Sequence, residues 1–141
     1  MAKIVLTAAI MDLLHDGHQN LLREMRKNGD KVVVVLHDDA ACFEIKGKVP
    51  VQPIEVRARN LIITKLADAV TITHSTDPAD AFEKIVNKYS KDDILFMRGD
   101  DNKDYPGRWY IEKRNIPVEF IPYTEGVSST KMRQELIDDR A

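Results

Sequence analysis

The chain is expected to fold as an α/β protein on a doubly wound, parallel, five-stranded sheet. Three observations predict this. Short β-branched runs alternate with longer amphipathic segments along the sequence, the two periodicities that separate strands from helices. Each strand-like run is followed by a helical pattern, the order that right-handed crossovers between parallel strands require. With 141 residues, 43% of them hydrophobic, the chain suffices for one domain with a core, spanning 1–141, and is short for two.

Strands are expected over residues 3–9, 31–37, 69–72, 94–98 and 118–121. A first helix is expected over residues 18–28, where Leu21, Leu22 and Met25 share one face and Gly29 ends it. A second, over 53–65, opens on a proline suited to a first turn, and a third covers 77–89. A last helix over 128–140 starts with Ser128, Ser129 and Thr130, hydroxyls suited to capping or to an anion at the positive end. Two stretches break the rhythm. Residues 38–52, with Lys46-Gly47-Lys48 and a Val49-Pro50-Val51-Gln52-Pro53 run after it, read as a mobile loop. Residues 99–108 are rich in turn formers and lie just past a strand end, where parallel sheets place their ligands.

Composition narrows the function. The 21 basic and 23 acidic residues leave a net charge of −2, so no global field favours nucleic acid or an anionic membrane. Aromatics are 6% of the chain and no basic stripe interleaves with them, which argues against a nucleic-acid partner. The single Cys42 excludes an internal disulfide framework and a zinc-thiolate cluster, and fits a reducing, cytoplasmic setting. The apolar run near Met1 is too short for a signal peptide or a membrane span and serves better as a buried strand. GxGxxG, GxxxxGK[ST] and GxSxG are absent, so a phosphate site here has to be built without the dinucleotide fingerprint or the P-loop, and covalent catalysis is disfavoured.

The most informative segment is Asp12-Leu13-Leu14-His15-Asp16-Gly17-His18, between the first strand and the first helix. Two imidazoles three residues apart, with a glycine to turn the backbone, place N–H donors beside an anion at a helix N-terminus. The plainer alternative is a pair of helix-start residues satisfying local backbone groups. A metal reading is weak, because His37 and His74 lie elsewhere and no third ligand has suitable spacing. Gly126 to Lys131 offers a glycine turn, hydroxyls and backbone N–H groups that suit a polyphosphate, or an ordinary N-cap. Lys46 and Lys48 are point charges that fold over a phosphate or remain solvated.

The order of these motifs, with Arg57 and Met97-Arg98-Gly99-Asp100-Asp101 between them and Thr124-Glu125-Gly126-Val127-Ser128-Ser129-Thr130-Lys131 at the end, resembles the cytidylyltransferase-like nucleotidyltransferases, and most closely the bacterial glycerol-3-phosphate cytidylyltransferases. The resemblance covers nearly the whole chain. It implies a Rossmann-like domain, commonly a homodimer, that joins CTP to a phosphorylated small molecule in the presence of Mg²⁺ and releases pyrophosphate. An ATP-using relative acting on a sugar, flavin or pantetheine phosphate is the nearest alternative, and a nucleotide-binding module without turnover is another. The resemblance implies catalytic roles for His15, His18 and Lys46, and nucleotide contacts from Ala9, Ile10, Met11, Asp100, Thr124, Ser128, Ser129 and Thr130. It places Asp16 and Lys48 near the acceptor and assigns the metal no protein side chain.

Departures accompany the matches. Ala9-Ile10-Met11 stands where the family usually has Gly-Thr-Phe, so Ile10 lacks a hydroxyl that meets phosphate. Asp16 replaces an aromatic residue. Tyr123 stands where an arginine often precedes the threonine, with Arg98 or Arg133 as candidates to replace it.

Overall fold

The structure, a computed structural model, describes residues 2–121. Five strands, β1 (Ala2–Ala9), β2 (Gly29–His37), β3 (Ala69–Thr73), β4 (Ile94–Arg98) and β5 (Val118–Phe120), pair in the order β3-β2-β1-β4-β5. Every pairing is parallel, with Ala2 opposite Gly29, Ile4 opposite Ile94, Val33 opposite Ala69 and Phe96 opposite Val118. The expected doubly wound sheet is therefore present. The chain crosses from β1 outward to β3, then returns to the other side of β1, so strand order reverses between β1 and β4. Ligands of such sheets bind at the carboxyl ends of the strands flanking that switch point.

Alternation along the strands builds two cores. Ile4, Leu6, Val33, Val35, Ile94 and Phe96 face Phe82 and Ile85 of α4 (Ala79–Tyr89) and Tyr110 and Ile111 of α5 (Arg108–Lys113). Val5, Val32, Val34, Leu36 and Met97 face Leu21, Leu22 and Met25 of α1 (Asp16–Asn28) and Leu61 of α3 (Ile54–Ile63). Burial on both sides explains the unbroken apolar run Val32 to Leu36 in β2. Among the described residues no helix is long and apolar enough to cross a membrane.

Several elements differ from expectation. Residues 38–52 do not form a loop throughout: α2 spans Asp39–Lys46. The Asp38 carboxylate accepts from the Ala41 amide as its N-cap, and Gly47 closes it in the left-handed region with φ 76°. Helix α5, two turns or less, follows the turn-rich segment after Gly107, whose φ of 84° lets α5 start against Pro78 and Phe82. Pro53 caps α3 rather than occupying its first turn. Helix α1 begins at Asp16, two residues before His18, and Gly29 is extended at φ −165°, already part of β2.

Gly29 is needed there for space. A Cβ at this position meets the Val5 side chain and the Ala2 carbonyl across the β1–β2 pair. Gly29→Ala is expected to lower stability by about 1–3 kcal/mol through overpacking, read as an earlier urea midpoint with an unchanged m-value.

Candidate active site

Among the described residues, left-handed non-glycine backbone clusters in the β1–α1 connection. Met11, Leu13 and Leu14 all have left-handed backbone, with φ of 56°, 64° and 40°. Such conformations cost non-glycine residues about 1–3 kcal/mol each and persist only where surroundings enforce them. The sharp turn expected from Gly17 is made instead by these three residues, and Gly17 lies inside α1.

The enforcement comes from the segment that follows α2. Arg57, with a fully buried side chain, donates from Nη1 to the Ile10 carbonyl at 2.8 Å and the His37 carbonyl at 2.8 Å. Its Nε donates to the Gln52 carbonyl at 3.0 Å, and Nη2 pairs with Asp39 Oδ1 at 2.6 Å. The buried Asp12 carboxylate accepts from the Val51 amide at 2.8 Å and the Gln52 amide at 3.0 Å. Gln52 Oε1 in turn accepts from the Leu13 amide at 3.2 Å. Gln19 Nε2 donates to the Leu14 carbonyl at 2.9 Å. Each left-handed residue thus has a tied neighbour or a tied backbone group.

This frame presents the two histidines. His15 is the N-cap of α1: its Nδ1 accepts from the Gly17 amide at 3.0 Å and the His18 amide at 3.3 Å. That contact realises the plainer reading of a helix-start residue and at the same time sets the tautomer. With Nδ1 used as an acceptor, the neutral ring carries its proton on Nε2, a donor for an anion. The His18 ring stacks on it, with centroids 3.6 Å apart and planes at 19°. Two imidazolium rings at that distance repel. Burial first, then the neighbouring His15 ring, push the His18 pKa down to about 3; Asp12 opposes them, and the Lys46 charge adds a still smaller lowering. Burial also lowers His15. Among the described residues His18 Nδ1 is buried without a hydrogen-bond partner, an unsatisfied group of the kind that collects at functional sites.

Among the other expected site residues, Lys46 ends α2 and its charge reaches His18. Lys48 is exposed just beyond, with its carbonyl accepting from Cys42 Sγ at 3.6 Å. Asp16 is exposed in the first turn of α1. Ala9 and Ile10 are half-buried at the end of β1, whereas the Met11 side chain is buried in the core, so backbone is what Met11 offers a ligand. Asp100 lies past β4, and both its carboxylate oxygens are taken by Arg98. Thr124, Ser128, Ser129 and Thr130, with Tyr123, Arg133 and the expected last helix, lie outside the described residues.

Sequence reading missed Gln52 and Asp12 as ties and treated Arg57 only as part of a motif. A signal existed for Arg57: it sits three residues after Ile54 and four before Leu61, on the inward face of α3, where a charged residue needs a buried partner.

Comparison with known proteins bears on the family and the fold. The cytidylyltransferase-like family model matches residues 6–135. The bifunctional protein HldE of Desulfatibacillum aliphaticivorans is 37% identical over 98% of this chain and 28% of its own length. The HldE of Koribacter versatilis is 33% identical over 92% of this chain and 26% of its own length. The chain thus spans about a quarter of the length of these curated relatives. Among solved structures, the lipopolysaccharide core biosynthesis protein from Thermoplasma volcanium superposes with a TM-score of 0.61 at 24% identity, covering 88% of this chain and 98% of that one. Thermotoga maritima TmcAL bound with alpha-thio ATP gives a TM-score of 0.67 at 15% identity, covering 98% of this chain and 51% of that one. At these identities the structural matches speak for the fold.

Arg57→Met is expected to destabilise the protein by about 3–5 kcal/mol, because it strands Asp39 and the Ile10, His37 and Gln52 carbonyls, with Arg57→Lys recovering only part; chemical denaturation reads both. For His18, the folded-state pKa of about 3 lies below the ordinary 6.5, so the unfolded chain takes up the proton first on acidification. Its contribution to stability is complete above about pH 6.5 and is lost progressively towards pH 3. Urea midpoints measured across that range should fall less steeply in His18→Asn than in the parent.

Proposed function

Since the chain belongs to the cytidylyltransferase-like family, a family of nucleotidyltransferases, we propose that it transfers a nucleotidyl group from a nucleoside triphosphate to a small phosphorylated alcohol and releases pyrophosphate. The observation that carries this reading is the neutral, stacked His15–His18 pair at the start of α1, beside the switch point of the sheet. An oxygen of the acceptor phosphate attacks the α-phosphorus while the bond to the β-phosphate oxygen breaks. Pyrophosphate leaves with that electron pair, so neither covalent catalysis nor a general base is required. The protein's task is alignment and charge stabilisation. His15 donates from Nε2 towards a non-bridging α-phosphate oxygen, the α1 N-terminus adds its positive dipole end, and Lys46 supplies a cation from the end of α2.

Mg²⁺ belongs to the proposal as a companion of the triphosphate, where it neutralises phosphate charge. The Asp12 carboxylate near the histidines has both oxygens engaged by the Val51 and Gln52 amides, which suits an ion held chiefly by the nucleotide's own phosphates.

CTP and glycerol 3-phosphate are the first pair to test, on the strength of Thr124 to Lys131. A second reading, ATP with a sugar phosphate, is favoured by the HldE relatives. A homodimer is also proposed. The exposed apolar residues Phe43 and Ile45 on α2 and Val49 and Val51 after it supply a surface suited to a second copy; a monomer by light scattering at micromolar concentration removes that element.

Pyrophosphate release should require both a triphosphate and an acceptor, and His18→Ala should lower the rate at least a hundredfold while the thermal midpoint stays close to the parent's. Near-parental turnover in His18→Ala overturns the mechanism. Lys46→Ala should reduce kcat more than it raises KM if the lysine acts on the transition state.

A further inference from the structure

We infer that His37 reads a hydroxyl group of the acceptor through its Nε2, an assignment that rests on the nucleotidyl-transfer reading and narrows the acceptor to a phosphorylated polyol or sugar. His37 is the last residue of β2 and is 4% exposed. Strand alternation puts its side chain on the face of Val33 and Val35, the one covered by α4 and α5. Ala9 pairs with Leu36, so His37 stands beside Ile10 at the carboxyl edge of the sheet, and Arg57 Nη1 ties these two residues by their carbonyls. The residues after Ile10 form the turn that carries His15. His37 thus lies one strand away from that turn, a buried imidazole that the alignment of the triphosphate does not use.

The ring is held in one tautomer. Its Nδ1 lies 3.1 Å from the Ser75 carbonyl, and a carbonyl only accepts, so Nδ1 carries the proton. That carbonyl is itself fixed. Thr73, paired with His37 across β2 and β3, accepts at Oγ1 from the Ser75 amide at 3.3 Å and at its carbonyl from the Asp38 amide at 3.0 Å. Nε2 therefore bears a lone pair, and among the described residues it has no hydrogen-bond partner. Burial lowers the His37 pKa; the Ser75 carbonyl opposes this, the Arg57 charge lowers it further, Asp38 opposes, and Arg98 adds a smaller lowering. The ring is accordingly neutral at neutral pH and accepts at Nε2, the reverse of His15, whose Nδ1 accepts and whose Nε2 donates. An ionised phosphate offers such a lone pair nothing, whereas a hydroxyl offers a proton to share.

The order of the sheet chooses which substrate brings the hydroxyl. Strand β2 lies on one side of β1, and β4 and β5 lie on the other. Thr124 to Lys131, matched to the triphosphate by the sequence resemblance, follow β5 along the chain. In-line displacement puts the attacking and leaving oxygens on opposite sides of the α-phosphorus. With the triphosphate towards β4 and β5, the acceptor approaches over β2, and its alcohol portion meets His37. A site built to bond a hydroxyl rejects the analogue that lacks it, because the lone pair is then left buried and unpaired.

The test compares acceptors that differ by one hydroxyl, read as kcat/KM for pyrophosphate release. The probes are CTP with glycerol 3-phosphate, 3-hydroxypropyl phosphate and 2-hydroxypropyl phosphate, and ATP with glucose 1-phosphate and its monodeoxy forms, all with Mg²⁺. The parent should favour the full acceptor over one of its deoxy forms by about tenfold or more. In His37→Phe, and in the smaller His37→Leu, that preference should fall to within about twofold, through loss of activity on the full acceptor alone. His37→Gln, which keeps an accepting oxygen, should restore part of it. The KM for the triphosphate should stay within about twofold of the parent's in all three variants. A merely structural role lowers turnover of full and deoxy acceptors alike and leaves their ratio unchanged. That result, a raised KM for the triphosphate, or a parent that does not distinguish the deoxy forms overturns the assignment. Absence of pyrophosphate release by the parent with either triphosphate overturns the reaction on which it rests, whereas turnover with a ratio indifferent to His37 overturns only this assignment.

Discussion

The buried guanidinium of Arg57 is the contact on which the rest of the site depends. It bridges four chain segments: the end of β1 through the Ile10 carbonyl, the end of β2 through the His37 carbonyl, the entry to α3 through the Gln52 carbonyl, and the start of α2 through Asp39. A buried ion pair in a core is often replaceable by apolar residues of similar volume. This one is different, because three of its partners are main-chain carbonyls at the ends of elements, and no hydrocarbon satisfies those. The charge serves geometry, holding the carboxyl ends of two adjacent strands at a fixed spacing to the helices that leave them.

That fixed spacing makes the left-handed residues Met11, Leu13 and Leu14 tolerable. With β1 pinned by Arg57 and residues 12–14 tied to Val51 and Gln52, the chain has only a few residues in which to rise from the sheet and enter α1. The strain places His15 as a cap whose Nδ1 is occupied, and so decides which ring nitrogen faces a ligand. Stacking and burial then hold the pair neutral. A neutral imidazole binds a phosphate less tightly than a cation does, yet an incoming anion opposes the effects that lower its pKa. Part of the stabilisation can therefore grow as negative charge develops on the α-phosphate, the condition for favouring the transition state over the bound substrate.

The sheet and much of the site were legible from the sequence because they follow from periodicity. The alternation of β-branched runs with amphipathic segments located all five strands to within a few residues, and His15-Asp16-Gly17-His18 marked the first turn. Helices α2 and α5 were not legible. Each is eight residues or fewer, too short to display a period, and each is stabilised by what surrounds it: Asp38 capping and Arg57 pairing in one case, packing of Gly107 against Pro78 and Phe82 in the other. The source of the turn before α1 was misread for a related reason. Glycine signals left-handed backbone cheaply, so Gly17 drew the inference, whereas the structure places the strain on residues whose propensities oppose it. Only tertiary ties across 39 or more residues reveal that.

The two cationic devices of the site show why nearly equal numbers of acidic and basic residues, 23 and 21, are compatible with an anion-handling centre. Arg57 is neutralised by Asp39 and Arg98 by Asp100, at 2.6 Å and 2.8 Å, so neither projects an uncompensated field into solvent. The difference lies in the arginines, 0% exposed at Arg57 and 14% at Arg98. Asp39 pairs with a guanidinium that is fully buried and committed to carbonyls, and exchanging that partner would dismantle the frame. Asp100 is as exposed as Asp39, 39% against 40%, but it engages the Nε and Nη2 side of an arginine that is itself 14% exposed. One pair is consequently a fixture of the fold that joins four segments, and the other is a local pair that closes the turn after β4.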